Sequence, residues 1–218
     1  MFNPKEFTVT NPKPLPIILL LDTSGSMYGE NINSLNKAVK EMVQGFKNIG
    51  NHDNEIYLSI ISFNSTIKCF PEERILANIS DFSIVDDLVA DGMTSMGAAI
   101  SVAKEMVENK DVIPYRAYRP TIVLVSDGGH NDNWQGPMND FINNGRSRKC
   151  DRMAMAIGRS ADKNALSQFI TGTENKLFEA KDASSIIEFF KKVTMSVTVR
   201  SRSANPNLLP STDELMVR

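Results

Sequence analysis

Short uninterrupted apolar runs alternate along the chain with segments whose apolar residues recur every three or four positions. Leu15 to Leu21 is the first run, and its lack of polar interruptions predicts a strand covered on both faces. Ile32, Leu35, Val39, Met42, Val43 and Phe46 then mark one stripe of an amphipathic helix, which Gly50 closes. Ile56 to Phe63 and Ile67 to Phe70 read as two further strands joined through the turn-like Asn64-Ser65-Thr66. Residues 71–93 carry no clear period, and Ile75 to Leu76 and Ile84 to Val89 fit either short helical turns or an irregular crossover. The pattern recovers at Ser95, where Ala98, Ala99, Val102, Ala103, Met106 and Val107 form a second helical stripe. Pro114 and Pro120 bracket a connection to a buried strand at Thr121 to Val125. Beyond it come a short helix from Met138 to Asn144 ending at Gly145, and a strand from Met153 to Ile157 ending at Gly158. A helix from Lys163 to Ile170, a last strand at Leu177 to Glu179 and a terminal helix from Ala183 to Val193 complete the series.

Such alternation predicts an α/β fold, doubly wound around a mostly parallel central sheet with helices on both faces. The periodic body is one domain over residues 15–199. Residues 1–14 read as an arm, and residues 200–218, with Pro206 and Pro210 and no period, as a flexible tail.

Composition removes whole classes of function. With 24 Lys and Arg against 26 Asp and Glu, the 218-residue chain has a net charge of −2, no footprint for nucleic acid or anionic lipid. The longest apolar run, Ile17 to Leu21, is far below the roughly 20 residues of a membrane span. The opening Met1-Phe2-Asn3-Pro4-Lys5-Glu6-Phe7 lacks the apolar core of a secretory signal. Two cysteines are too few for a disulfide framework, so a cytoplasmic location is expected.

Parallel sheets build their sites beyond the carboxyl ends of the strands, near the point where strand order reverses. Two acids stand at such ends: Asp22 in Asp22-Thr23-Ser24-Gly25-Ser26, and Asp127 in Ser126-Asp127-Gly128-Gly129. A third polar loop, Asp91-Gly92-Met93-Thr94-Ser95, precedes the second helix. Asp-x-Ser-x-Ser is a weak signal alone; its place after the most apolar strand gives it weight. Carboxylates and hydroxyls are hard oxygen donors, a set that suits Mg²⁺, Mn²⁺ or Ca²⁺ better than zinc, which prefers nitrogen and sulfur. Two carboxylates offset a dication while hydroxyls add coordination without charge, leaving the ion electrophilic toward an outside carboxylate.

On these residues the sequence resembles the von Willebrand factor A domains, whose metal-ion-dependent adhesion site combines Asp-x-Ser-x-Ser with a distant Thr and a distant Asp-Gly. Asp22, Ser24, Ser26, Thr94 and Asp127 match all five positions. The resemblance implies a Rossmann-like sheet with one short antiparallel edge strand, and a bound ion contacted by Ser24, Ser26 and Thr94, with the two aspartates coordinating directly or through water. It also implies a protein partner that supplies a Glu or Asp to the metal. A narrower likeness, to the Ter Y subgroup of bacterial tellurium-resistance proteins, rests on Pro16 to Met27 followed by Gly29-Glu30, on Arg119-Pro120, on Asp132-x-Trp134 and on Phe189-Phe190. That subgroup implies a stress or phage-defence setting with phosphatase and kinase partners. The chain departs from it at Gly129-His130-Asn131, where the subgroup has another loop.

Plainer readings stand beside these. Asp22, Ser24 and Ser26 suit a helix-capping loop, and Thr94 or Ser95 an N-cap of the second helix. His130 beside Ser126 and Asp127 invites a serine-hydrolase reading, and the metal a phosphohydrolase one, but no Gly-x-Ser-x-Gly elbow or phosphate-cradling loop is present. A metal-independent scaffold that binds through its tail, with Asp213 and Glu214, is the remaining alternative. Met27, Met93, Met96 and Met138 read equally as core or as an adaptable docking surface, and Trp134 as a core or an interface anchor. On the family's strand order Cys69 and Cys150 fall on opposite sides of the sheet as free, buried thiols. Arg146-Ser147-Arg148-Lys149 reads as a solvated turn.

Overall fold

The computed structural model describes residues 13–49, 54–83 and 86–207. Strands β1 (Lys13–Asp22), β2 (Asn54–Phe63), β3 (Ile67–Phe70), β4 (Ala77–Asn78), β5 (Thr121–Ser126), β6 (Asp151–Ile157) and β7 (Phe178–Ala180) form one sheet. Helices α1 (Glu30–Lys47), α2 (Met96–Glu108), α3 (Gln135–Asn143), α4 (Lys163–Phe169) and α5 (Ala183–Ser201) connect and cover it. The order is β3-β2-β1-β5-β6-β7, parallel except for the edge strand β3, with the two-residue β4 also antiparallel to β2. This is the doubly wound α/β fold expected from the periodicity.

Alternation along β1 explains why its sequence shows no polar face. Leu15, Ile17, Leu19 and Leu21 enter one core layer with α1 and α5, while Ile18 and Leu20 enter the other with α2, α3 and α4. Both faces are covered, so every position from Leu15 to Leu21 is apolar or proline. Each fully buried Leu or Ile removes enough apolar surface from water to contribute about 2 kcal/mol.

The irregular stretch resolves as a crossover. Ala77 and Asn78 bridge to Leu58 and Tyr57, and no helix forms among the described residues between β3 and α2. Asn36 of α1 holds the segment in place, since its side chain both donates to Leu88 O (2.9 Å) and accepts from Leu88 N (2.8 Å). Residues 84 and 85, and Gly50 at the expected end of α1, lie outside the described residues, as do residues 1–12 and 208–218.

Two boundaries move. β1 begins at Lys13, so the last two positions of the expected arm belong to the sheet. The flexible tail drawn from residue 200 is the second correction: α5 runs to Ser201, and Arg200 is wholly buried. Its guanidinium donates to Pro206 O (2.8 Å), Thr121 Oγ1 and Arg119 O (2.5 Å), while Asn207 Oδ1 accepts from Arg119 N (2.8 Å). Residues 200–207 are thereby fixed to the start of β5. A buried cation needs such acceptors, and the backbone supplies most of them.

Cys69 and Cys150 are free and buried, as expected, yet both face the layer of α2, α3 and α4. Four strand-to-strand steps separate β3 from β6, roughly 19 Å, too far for a disulfide. Among the described residues no helix is long and apolar enough to cross a membrane.

Candidate functional site

Strand order reverses between β1 and β5, and the site lies where these two neighbours end. Asp22 closes β1 and Asp127 follows β5; both are buried. Ser126 Oγ donates to Asp22 Oδ2 (2.6 Å) across the reversal, and Ser24 N–H donates to Asp22 Oδ1 (2.8 Å). The chain then makes a tight turn at Gly25–Met27 that returns Ser26 toward β5. Ser24 Oγ and Ser26 Oγ lie 3.0 Å apart, and Ser26 Oγ donates to Asp127 Oδ1 (2.7 Å). Asp22, Ser24, Ser26 and Asp127 therefore share one hydrogen-bonded chain drawn from two strand ends.

Thr94 reaches the same place through its backbone. Asp91 N–H donates to Thr23 O (2.9 Å) and Gly25 N–H to Gly92 O (2.9 Å), which lashes the 91–95 loop to the Asp22 turn. Gly92 adopts φ +71°, a conformation that favours glycine, and a Cβ there would stand 2.5 Å from Ser65 Oγ and displace that hydroxyl from Met93 N–H. On the other side Thr94 N–H donates to Asn131 Oδ1 (2.9 Å), and Asn131 N–H donates to Thr94 O (3.0 Å). Thr94 is buried, clamped between the two loops.

The capping expectation changes here. Ser95 occupies the N-cap position of α2 without a side-chain bond to the helix. Asp132, from the loop after β5, does the capping, accepting from Gly97 N (3.1 Å) and Ala98 N (2.9 Å). The approach is close enough that a Cβ on Gly97 would meet Trp134 Cα at 2.8 Å and Asn133 O at 2.9 Å. Sequence reading passed over Asn131, Asp132 and the Ser126 hydroxyl as positioning groups. For Ser126 the signal was its place at a strand end; for the other two no local pattern announces an acceptor supplied by another loop.

Electrostatics show what the arrangement lacks by itself. Burial pushes the Asp22 carboxyl up, against hydrogen bonds from Ser126 and Ser24 that pull it down. Burial, with repulsion from Asp22, pushes Asp127 up to about 6 despite the bond from Ser26. Two carboxylates that resist ionisation, set among serine hydroxyls, suit a cation of hard-oxygen preference. Among the described residues no group of three or more His, Cys, Asp or Glu side chains gathers anywhere, so a nitrogen- or sulfur-rich metal cluster is not built.

His130 and the methionines fall among the readings their sequence allowed. His130 Nε2 pairs with Asp162 Oδ2 (3.0 Å), its ring stands edge-on to Trp134 at 4.9 Å, and its Nδ1 is buried with no hydrogen-bond partner. Among the described residues no serine hydroxyl hydrogen-bonds to it, so the nucleophile–base contact of a hydrolase triad is not formed there. Met27, Met96 and Met138 are fully buried in the core, and only Met93, 57% exposed, faces outward on the site's loops. Trp134 is half-buried and packs against the α2–α4 layer.

The comparisons agree with this geometry. The family model of the von Willebrand factor type A domain matches residues 17–192, and the chain belongs to that family of metal-dependent protein-interaction modules, which are generally not enzymes. The chain is similar in fold to proximal thread matrix protein 1 from the mussel byssus (20% identity, TM-score 0.64, 84% of this chain and 48% of that one). It is likewise similar to a von Willebrand factor type A protein from Catenulispora acidiphila (16%, TM-score 0.63, 85% and 43%). A further structure of the mussel protein, described as having a zinc-occupied MIDAS motif, matches at 19% identity and TM-score 0.62, covering 84% of this chain and 48% of that one. The chain thus spans less than half the length of these relatives. No curated protein sequence matches it.

Proposed function

We propose that this chain is a metal-dependent docking module in which Asp22, Ser24, Ser26, Thr94 and Asp127 hold a divalent cation that captures an Asp or Glu of a partner protein. The convergence of two buried carboxylates and two serine hydroxyls at the strand-order reversal carries the reading, with the loop that bears Thr94 bonded to the Asp22 turn through Asp91 and Gly92. When bound, the ion supplies a Lewis-acidic vertex for the incoming carboxylate. The chain's own part is to hold five donors in place and keep their charge low enough for the ion to stay electrophilic.

Mg²⁺ is the ion we assign first, with Mn²⁺ or Ca²⁺ as substitutes; the zinc in the mussel relative adds zinc to the ions worth testing. The rim suits docking. Tyr28 (83% exposed), Val89 (74%) and Met93 stand on the connections that bear the site, and exposed large apolar side chains of this kind anchor partner surfaces. A groove of about 610 Å³ opens beside Thr23 and Asn64, with Asp86 and Asp87 on its wall. The Ter Y likeness supports a cytoplasmic stress or phage-defence role with a phosphatase or kinase partner. No feature supports nucleic acid or membrane as the partner.

Pull-down from the native host with and without chelator tests this directly, run beside thermal unfolding. Mg²⁺ raises the melting midpoint of the wild type but not of Asp22→Ala or Thr94→Ala, and the captured protein is lost with chelator. Capture that persists in chelator and no metal-dependent midpoint would leave the scaffold reading in its place.

A further inference from the structure

The opposite pole of the sheet holds a second cavity, of about 560 Å³, which takes no part in the site above. It opens where β5 and β6 begin, with Pro120 and Cys150 on its wall, about 20 Å along β5 from Asp127. Arg119, Arg146, Arg148 and Lys149 line it together with Tyr115 and Tyr118, against one carboxylate among the described residues, Glu174. Four cationic side chains in one cavity are out of keeping with a chain whose net charge is −2.

Among the described residues these cations are little neutralised. None of the ion pairs among the described residues involves any of the four. Glu108 spends its carboxylate on the backbone N–H groups of Arg146 (2.7 Å) and Ser147 (3.0 Å) instead of on a guanidinium. The buried Asp151 accepts from Asn175; Arg200 is its foremost cationic neighbour and Arg119 the next, neither of them in an ion pair with it among the described residues. Arg146 is only half satisfied: Nη2 donates to Ile113 O (2.7 Å) and the guanidinium lies 5.2 Å from the Tyr115 ring centre, but Nη1 is buried and has no acceptor among the described residues. Buried donors without acceptors are rare and call for an explanation.

We propose that this cavity binds a phosphate-bearing small molecule, its phosphate received by Arg119, Arg146, Arg148 and Lys149. Guanidinium forks match phosphate oxygens two at a time, and a phosphate's near-double charge answers several cations where one carboxylate does not. The volume fits a ligand of mononucleotide size, and its concave form does not suit a duplex. The Arg146-Ser147-Arg148-Lys149 run, read from sequence as a solvated turn, is then the wall of a site.

Calorimetric titration of the full chain with ADP, pyrophosphate and inorganic phosphate tests this, in chelator so that no metal at the other pole bridges the anion. We expect ADP or pyrophosphate to bind the wild type. Arg148→Gln/Lys149→Gln, two exposed positions, weakens that binding about tenfold or more while leaving the melting midpoint unchanged. Asp127→Asn binds as the wild type does. ADP held more tightly than pyrophosphate assigns a nucleotide, and equal affinity assigns a free polyphosphate; both carry the proposal. No binding of any of the three at about 1 mM, where only affinities weaker than about −4 kcal/mol go unseen, overturns it. Equal affinity in the double variant, or loss in Asp127→Asn, overturns it as well.

Discussion

Asp127→Asn separates the electrostatic price of the metal-free site from its benefit. The side chain keeps its shape, and its carbonyl oxygen still accepts from Ser26 Oγ, whose bond to Asp127 is 2.7 Å long. What disappears is a buried negative charge facing Asp22. The wild-type carboxyl, pushed up to about 6 from the ordinary 3.8, takes up a proton more readily folded than unfolded. Its penalty is therefore absent below about pH 3.8, grows as pH rises toward 6, and is complete above it; the difference is worth about 3 kcal/mol. In chelator at pH 7.5, urea unfolding is expected to show Asp127→Asn more stable than the wild type, by about 1–3 kcal/mol after the weaker bond from Ser26 is allowed for. At pH 4 the advantage vanishes. Mg²⁺ at a hundred times its dissociation constant adds about 2.7 kcal/mol to the wild type and nothing to the variant. A chelated variant less stable than the wild type at pH 7.5, or equal stabilisation of both by Mg²⁺, refutes the reasoning.

Three further expectations test the frame around the site. Gly97→Ala forces a Cβ against the backbone of Asn133 and Trp134, so urea unfolding should show a loss of about 1–3 kcal/mol and Mg²⁺ binding should weaken with it. Arg200→Met removes the foremost of the cations near buried Asp151 and takes the donor from Pro206 O, Thr121 Oγ1 and Arg119 O, an expected cost of about 1–3 kcal/mol by the same measurement; unchanged stability would show that residues 200–207 contribute nothing to the body. Burial pushes the Cys150 thiol up to about 12, so alkylation followed by mass spectrometry at pH 8 should leave it unmodified in the native chain and modify it in denaturant.

Much of the architecture was legible because it follows from local period. A strand buried on both faces must be apolar at every position, which is why β1, β5 and β6 stood out, and a helix lying on a sheet must show a stripe, which is why α1 and α2 did. The five candidate donors could be picked out for a related reason. Four sit at strand ends or in the turn directly after β1, and a parallel sheet delivers such positions to one edge. The stretch 71–93 stayed ambiguous since it is held by single long-range contacts, such as Asn36 on Leu88, that leave no periodic trace.

Sequence alone thus determined the order of strands and helices, the exclusion of a membrane span within the body, and the oxygen-only chemistry of the site's loops. Tertiary structure decided the rest. It set Ser126 against Asp22, gave α2 its cap from Asp132, clamped Thr94 with Asn131, buried three of the four methionines singled out near the site and buried Arg200. Period records only what a residue does with its near neighbours in the chain. A carboxylate that caps a helix 35 positions away, or a cation satisfied by three distant oxygens, exists only once the chain has closed on itself.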